Sequence, residues 1–289
     1  LSTEDFVENI EWIAEEMGDE IGVEDFSIPI DKQNAEVLYI PHPLEVRDLP
    51  FLLMYALKIL HASGENYTVS SYDFDTVNYA YYQGSKDNMM RISQRVLDAR
   101  EKLRAKSIVL APCGHGYRVM RWEVEKYLGK PFRFPPVQTI VELIDRYLRQ
   151  GRITLKKDAF EGPMTYHDPC NIARSGWIVE QPREILRSFV PNFVDMVPKG
   201  TDNFCCGGGG GLEHPVAGAR PQPQRDAPGS DRPRRDPGSG RGGLRPRGLA
   251  PAGRHPLREP RALHGQGDSL GRERSADRLL LRKRDGPWI

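Results

Sequence analysis

The sequence lacks any apolar run long enough to span a membrane. It also lacks the basic start and apolar stretch of a secretory signal, since its first twenty residues are acidic. Cysteine is scarce: the 289 residues contain four. So few cysteines without a secretory signal favour metal or redox use over a disulfide framework. The first residue is Leu1 rather than Met, and we expect the chain to be a fragment.

The segment after Leu212 lacks Phe, Tyr, Thr, Asn, Met and Cys altogether. It is rich in Arg, Gly and Pro and carries a net charge of +8, whereas residues 1–212 carry −7. Such a composition cannot bury enough apolar surface to offset chain entropy, so we expect residues 213–289 to be disordered. Two interpretations are open: a basic arm that binds nucleic-acid phosphates, or translation from a shifted reading frame. No basic patch has interleaved aromatic residues, so we favour the shifted frame and expect no nucleic-acid partner.

Residues 1–212 alternate between short apolar runs and amphipathic stretches. The runs at 35–40 and 107–113 are typical of buried strands, and residues 1–20 have helical periodicity. This alternation predicts an α/β fold with two similar lobes of short parallel β-sheet flanked by helices, plus a disordered C-terminal tail. Further strands are predicted over residues 66–72, 162–170 and 193–198, and a helix over residues 135–151.

Three of the four cysteines lie beside Gly or Pro, and two stand where predicted strands end. Cys113 and Cys170 stand at strand ends, where functional groups gather in parallel sheets. Cys205 and Cys206 are adjacent and precede five glycines, which let the backbone bend so that both sulfurs can face one centre. Thiolate is the ligand that iron–sulfur clusters and zinc prefer. The alternative for Cys205 and Cys206 is a vicinal disulfide or a pair that is adjacent by chance. Cys113 is as consistent with an ordinary buried core residue as with a metal ligand.

The stretches HDPCN and FCCGGGGG resemble the CCG-domain family, cysteine-rich iron–sulfur proteins related to heterodisulfide reductase. Cys170 and Cys205 have 34 residues between them, which fits the spacing of that family. The closing CxxC of the family pattern should fall near residues 242–245, but these are Gly-Gly-Leu-Arg. Within the family, the resemblance is strongest to the DsrK-like subunits of a membrane complex linked to dissimilatory sulfite reductase.

The resemblance implies a non-cubane 4Fe–4S cluster at a catalytic site formed by Cys170, Cys205 and Cys206. Cys113 is a weaker candidate for a further metal ligand. Because the closing CxxC is absent, we expect the cluster to be incomplete in this chain. The glycines expected to shape the cofactor pocket are Gly207, Gly208 and Gly209.

The resemblance also divides the chain into segments. Residues 1–25 would be a helical linker from a missing ferredoxin domain, and residues 26–158 a degenerate first CCG-like domain. Residues 159–212 would be the start of a truncated second CCG domain, followed by the tail at 213–289.

The function implied is that of an oxidoreductase that passes electrons to a disulfide or trisulfide of a small sulfur-carrier protein with C-terminal cysteines. Its other partners would be a membrane haem and quinone subunit and further subunits of the complex. They would hold it on the cytoplasmic side, peripheral to the inner membrane. One alternative is an electron-transfer iron–sulfur subunit of a glycolate or lactate oxidase-type enzyme. A second is a metal- or nucleic-acid-binding module with a basic arm.

Three residues near Cys170 have expected supporting roles. Asp168 is expected to cap the turn that presents Cys170. His167 is expected to stabilise the loop, or else to donate near a thiolate. Arg174 is expected to form an ordinary surface salt bridge, with assistance to an anionic substrate as the alternative.

Overall fold

The computed structural model describes most of the chain up to Gly207 and one short strand beyond it. The described residues are 2–74, 80–81, 84–128, 137–157, 159–160, 162–207 and 281–283. We call residues 26–157 the sheet region and residues 162–207 the cysteine region. Among the helices of these described ranges, none is both long and apolar enough to cross a membrane.

The elements alternate between helices and short strands through the sheet region. The strands are β1 (Val37–Ile40), β2 (Tyr67–Val69), β3 (Ser107–Leu110), β4 (Val137–Thr139), β5 (Ile153–Leu155) and β6 (Leu281–Lys283). The helices are α1 (Thr3–Ile21), α2 (Pro43–Arg47), α3 (Pro50–Ala62), α4 (Lys86–Leu103), α5 (Gly114–Arg118), α6 (Val124–Leu128), α7 (Ile140–Arg149), α8 (Cys170–Ala173) and α9 (Glu180–Arg187). A π-helical turn, Val119–Glu123, joins α5 to α6, and a 3-10 turn covers Gly200–Asp202.

The central sheet is parallel, with the strand order β2-β1-β3-β4. In register, Val37 of β1 lies beside Tyr67 of β2 and Ser107 of β3, and Ile108 lies beside Val137 of β4. Strands buried on both faces read as continuous apolar runs, which is why β1 and β3 were visible in the sequence. The predicted α/β class, a short parallel sheet flanked by helices, is confirmed.

Helices cover both faces of this sheet. α1, α3 and α7 pack on one face, and α4, α5 and the π-helical turn pack on the other. Successive strand residues point to opposite faces, so each strand contributes to both apolar cores. Val37, Tyr39 and Val109 lie in the first core, and Leu38, Ile40, Ile108 and Leu110 lie in the second.

The helix predicted at the N-terminus is present as α1. The Ser2 hydroxyl accepts the N–H of Asp5, and the Asp5 carboxylate accepts the N–H of Ser2, which together form a capping box. The helix ends at Ile21 and is followed by the C-cap residue Gly22, whose φ of 68° is left-handed.

The fourth strand was missed by the sequence analysis, which assigned residues 135–151 to one helix. β4 occupies Val137–Thr139, and α7 begins only at Ile140. The Glu142 carboxylate accepts the N–H of Thr139 at 3.0 Å, so Thr139 and Glu142 mark the helix start. This Thr-x-x-Glu spacing is the signal that could have located the boundary.

The cysteine region does not form the second sheet predicted from residues 162–170 and 193–198. Within the described part of this region, strand pairing is limited to one parallel bridge between Met164 and Phe193. Outside α8, α9 and the 3-10 turn, the described chain there is irregular and is held by side-chain contacts, as described below. In the tail, Leu281–Lys283 pairs antiparallel with β5. The prediction of disorder for the rest of residues 213–289 lies outside the described residues.

Candidate cysteine site

Two loops of the cysteine region carry the candidate residues. Cys170 opens the single-turn helix α8, directly after Pro169, whose extended backbone stands at the N-cap position. Cys205 and Cys206 follow the 3-10 turn Gly200–Asp202. The Cys170 side chain is half-buried, whereas Cys205 and Cys206 are exposed.

The structure brings Cys170 and Cys205 together, although 34 residues separate them in sequence. The pKa of the Cys170 thiol is raised, first by burial and then by the adjacent Cys205 thiol, whose charge and hydrogen bond favour the protonated form. Two sulfur atoms from separate loops therefore lie within interaction distance.

The remaining two cysteines do not complete a metal site in the described structure. Cys206 is exposed beside Cys205. Cys113 caps α5, and its sulfur accepts the N–H of Gly116 at 3.4 Å. Within the described ranges, no three or more His, Cys, Asp or Glu side chains are grouped so that they could hold a metal ion.

The glycines after the cysteine pair are described only in part. Gly207 has a φ of 80°, which an L side chain rarely adopts, and its N–H points to the Cys205 sulfur at 3.5 Å. The chain thus turns back immediately after the cysteines and offers a backbone donor to one of them. Gly208 and Gly209, the other two predicted pocket residues, lie outside the described residues.

A buried ion pair holds the backbone behind Cys170. Both Asp168 carboxylate oxygens accept from the Arg183 guanidinium, at 2.8 and 2.6 Å, and both side chains are almost completely buried. Arg183 also donates to Asp195 at 2.8 Å. Burial acts to raise the pKa of Asp168, but hydrogen bonds from Arg183 and the Gly200 N–H outweigh it and leave that pKa below its usual value.

The expected role of Asp168 was therefore wrong. Its carboxylate does not cap the turn at Cys170; it accepts the N–H of Gly200 at 2.7 Å in addition to the pair with Arg183. The physical reason is burial: a carboxylate out of contact with water needs a cationic partner, which a neighbouring turn cannot supply. Asp168 consequently joins the loop before Cys170 to the turn that precedes Cys205.

Side-chain contacts to the backbone strengthen the same junction. The Asn203 amide donates to the Asp168 carbonyl. Arg174 donates to the Thr201 carbonyl at 3.0 Å and to the Asn203 side-chain oxygen at 3.0 Å. The expectation of a surface salt bridge for Arg174 was wrong, because oxygen atoms of Thr201 and Asn203 in the facing loop accept its hydrogen bonds.

His167 stabilises the loop, which is the first of the two roles expected for it from the sequence. Its Nε2 lies 2.9 Å from the Phe204 carbonyl, so the ring donates to the residue that precedes Cys205. The contacts made by His167, Asp168 and Arg174 all reach the segment 200–204. Their combined effect is to fix the separation of the two cysteine loops.

The residues that sequence reasoning missed are Arg183 and Asn203. Arg183 stands in a helix rich in charged residues, so nothing in its spacing marks it as buried. Asn203 follows a turn, where Asn is common for local reasons. Neither position had a signal that separates it from its neighbours.

The helix that carries Cys170 packs tightly against α5, the helix capped by Cys113. At Gly176 an added Cβ would come 2.5 Å from the Ile172 carbonyl oxygen and 2.8 Å from Cε1 of Tyr117. This contact leaves no room for a side chain, and it couples the cysteine region to the sheet region.

Comparison with known proteins agrees with the cysteine pattern. Residues 164–220 match the sequence profile of the CCG family, described as a cysteine-rich domain. The match contains Cys170, Cys205 and Cys206 and ends before residues 242–245. Residues 164–220 are thus similar in sequence to the CCG cysteine-rich domain.

Three curated relatives extend the similarity to other parts of the chain. An Hdr-like menaquinol oxidoreductase iron–sulfur subunit 2 of Archaeoglobus fulgidus is 26% identical over 68% of this chain and 42% of its own length. A probable membrane-anchored ferredoxin of Chromohalobacter salexigens is 28% identical over 61% of this chain and 25% of its own. The third is a subunit of the dihydromethanophenazine:CoB–CoM heterodisulfide reductase of Methanosarcina acetivorans, which is 32% identical over 39% of this chain and 28% of its own.

The chain is homologous to Hdr-like iron–sulfur subunits and spans less than half the length of these relatives. No solved structure gives a significant match.

Proposed function

We propose that this chain is part of the iron–sulfur redox subunit of a heterodisulfide reductase-like membrane complex. The observation that carries the proposal is that Asp168 and Asn203 tie together the two loops that bear Cys170 and Cys205, and that the two thiols interact. The names of the relatives, which are oxidoreductase subunits and a ferredoxin, support a redox role.

The cysteine thiols of the site are the right type of ligand for an iron–sulfur cluster, but there are too few of them for a complete one. Thiolates are the usual ligands of such clusters, and four are typical. Cys170 interacts with Cys205, Cys206 follows Cys205 in the sequence, and no group of three or more ligands is found within the described residues. We therefore propose Cys170, Cys205 and Cys206 as ligands of a 4Fe–4S-type centre that is incomplete in this chain.

The residues around the thiols have identifiable tasks in this proposal. The Gly207 N–H donates to the Cys205 sulfur and would orient it toward a bound cluster. Asp168 and Arg183 keep the two loops at a fixed separation without contacting the sulfurs. A cluster, when bound, would supply one-electron transfer at the site.

For the substrate we propose a protein disulfide or trisulfide, presented by a small sulfur carrier with C-terminal cysteines. The exposure of Cys205 and Cys206 supports a macromolecular substrate, because both thiols are reachable from outside. The partners would be a haem and quinone subunit and other subunits, as in DsrK-like proteins, and they would place the chain at the inner membrane.

A second function is favoured by the similarity to the membrane-anchored ferredoxin. In that case the centre only relays electrons, as in an iron–sulfur subunit of a glycolate or lactate oxidase-type enzyme. The two functions differ in whether disulfide reduction occurs at the cysteine site itself.

The test is anaerobic reconstitution of the full chain with iron and sulfide, followed by analysis of both and by electron paramagnetic resonance after oxidation. We expect fewer than four irons per chain, with loss of bound iron in Cys170→Ser and Cys205→Ser but not in Cys113→Ser. Four irons per chain would contradict an incomplete site. Iron content independent of Cys170 and Cys205 would contradict the ligand assignment.

The two functions are separated by adding a small disulfide and a chemical reductant to the reconstituted chain. Release of thiols that depends on Cys170 favours disulfide reduction at the site. Oxidation of the centre by a quinone or flavin acceptor without thiol release favours the relay.

We also propose that the tail arises from a shifted reading frame, because the missing CxxC falls within the segment of altered composition. The family match extends to residue 220 and no further, which supports a change near this point. Resequencing the DNA around codon 212 tests it: a single-base correction should restore a CxxC near residues 242–245. An unchanged frame would favour a genuine basic arm.

A further inference from the structure

A cleft of about 530 Å³ opens in the sheet region, and none of its lining residues belongs to the cysteine loops. Pro43 follows the end of β1, and Tyr72, Asp73 and Phe74 follow the end of β2, so the cleft lies at the carboxyl ends of two parallel strands. Ligands of parallel α/β sheets bind at this edge, and the volume is typical of small-molecule sites.

The charge of the cleft is predominantly positive. Arg47 of α2 and Arg91 and Arg95 of α4 line it, together with one carboxylate, Asp73. Arg95 is paired with Asp73, and Arg47 is paired at 2.8 Å with Asp48. For the Arg91 side chain, no hydrogen bond or ion pair is found within the described part of the chain.

The positions of Arg91 and Arg95 place like charges side by side. Four residues apart on one helix, they lie one turn apart on the same face, where like charges repel. An anion bound between them would replace that repulsion with attraction. The guanidinium fork suits the two oxygens of a carboxylate or the oxygens of a phosphate.

Part of the cleft lining is hydrophobic, and we call this part the apolar wall. Phe74, Ile92 and Val96 supply it, and the Phe74 ring is stacked on Phe6 with centroids 4.1 Å apart. This stacking fixes the Phe74 ring, so the apolar wall has a defined shape. A ligand that fits has an anionic head for the arginines and a short hydrocarbon portion for this wall.

We propose that this cleft is a binding site for a small organic anion with a carboxylate or phosphate head. Arg91 and Arg95 hold the head, and Phe74, Ile92 and Val96 contact the hydrocarbon portion. The site does not depend on the proposed redox function, since it uses no cysteine.

Titration calorimetry of the full chain tests the site with butyrate and n-butyl phosphate as probes and n-butanol as the uncharged control. We expect saturable binding of at least one anionic probe, weakened by salt, and none of n-butanol. Which anion binds decides between a carboxylate and a phosphate head. Absence of saturable binding by both probes would overturn the proposal.

One variant in the cleft and one control outside it make the binding test specific, and a second cleft variant follows below. Arg91→Gln should weaken binding about tenfold or more, because a charge-assisted hydrogen bond is lost. Arg149→Gln removes an exposed arginine of α7 outside the cleft and should leave affinity unchanged. Equal affinity in the wild type and Arg91→Gln would overturn the proposal.

Asp73→Asn is a second, independent variant. It should tighten binding of the anion, which would not happen if the arginines had only a structural role. It removes the carboxylate that competes for Arg95, and Asn tolerates the left-handed backbone at this position, where φ is 61°. Binding should tighten by about two- to fivefold, the size of an exposed ion pair. Weaker or unchanged binding in Asp73→Asn would count against the site.

Discussion

The sheet region and the cysteine region are held together in different ways. In the sheet region, apolar strands are buried between helices, and two apolar cores fill the faces of the sheet. In the cysteine region, strand pairing is a single bridge in the described residues. Ile172 and Ile178 join the second apolar core, and the completely buried Arg183 ties the loops together through its ion pairs. Burial of apolar surface is non-directional, whereas a buried ion pair tolerates little change in position or charge. The cysteine region should therefore be the more sensitive of the two to single polar substitutions.

The largest effect should come from breaking the buried pair. Asp168→Asn leaves Arg183 without its main partner and should lower the free energy of unfolding by about 3 kcal/mol. Hydrogen exchange across residues 162–207, together with urea denaturation, measures the change.

Its matched control lies on the surface of the sheet region. Glu36→Gln makes the same carboxylate-to-amide change in an exposed pair with Lys106 and should cost less than about 1 kcal/mol. Equal losses of unfolding free energy in Asp168→Asn and Glu36→Gln would contradict the difference proposed between the two regions.

The junction of the two regions should give the next largest effect. Gly176→Ala forces a Cβ against the Ile172 carbonyl and the Tyr117 ring, and overpacking of this kind costs about 1–3 kcal/mol. Gly162→Ala is the control, because its Cβ would meet only the end of the Phe160 ring, at 3.2 Å. Urea denaturation should separate the two variants, and equal stabilities would show that α5 and α8 are not packed as described.

Acid should weaken the cysteine region through Asp168. Because its pKa is lowered in the folded state, its contribution to stability is complete above the unfolded value of about 4 and is lost as pH falls through the folded value. Between pH 5 and pH 2, the wild type should therefore lose more unfolding free energy than Asp168→Asn. Parallel acid titrations of the two proteins measure this difference, and equal losses would contradict it.

The smallest effect concerns thiol reactivity in the metal-free chain. The raised pKa of Cys170 predicts slower alkylation by iodoacetamide near neutral pH than at the exposed Cys206. In Cys205→Ser the pH midpoint for Cys170 should fall, since one cause of the increase is removed while burial remains. Mass spectrometry of alkylated peptides follows each thiol, and an unmoved midpoint would place Cys205 too far away to act.

The difference between the sheet region and the cysteine region also explains what could be predicted from the sequence. β1 and β3 were found because continuous apolar runs indicate strands buried on both faces. β4 was missed because three residues before a helix have too little periodicity to be separated from it. Cys170 and Cys205 were paired from a family resemblance. The Asp168–Arg183 pair was not predicted, because a long-range contact between two polar residues leaves no local pattern.

The measurement that tests the account most directly is disulfide mapping of the reduced, metal-free chain after treatment with one equivalent of diamide. Diamide takes two electrons and two protons from a pair of neighbouring thiols, so the product records which sulfurs are close. The contact between the two loops predicts a Cys170–Cys205 disulfide as the main product, with Cys113 still free. A product in which Cys170 stays free while Cys205 couples elsewhere would contradict the shared site.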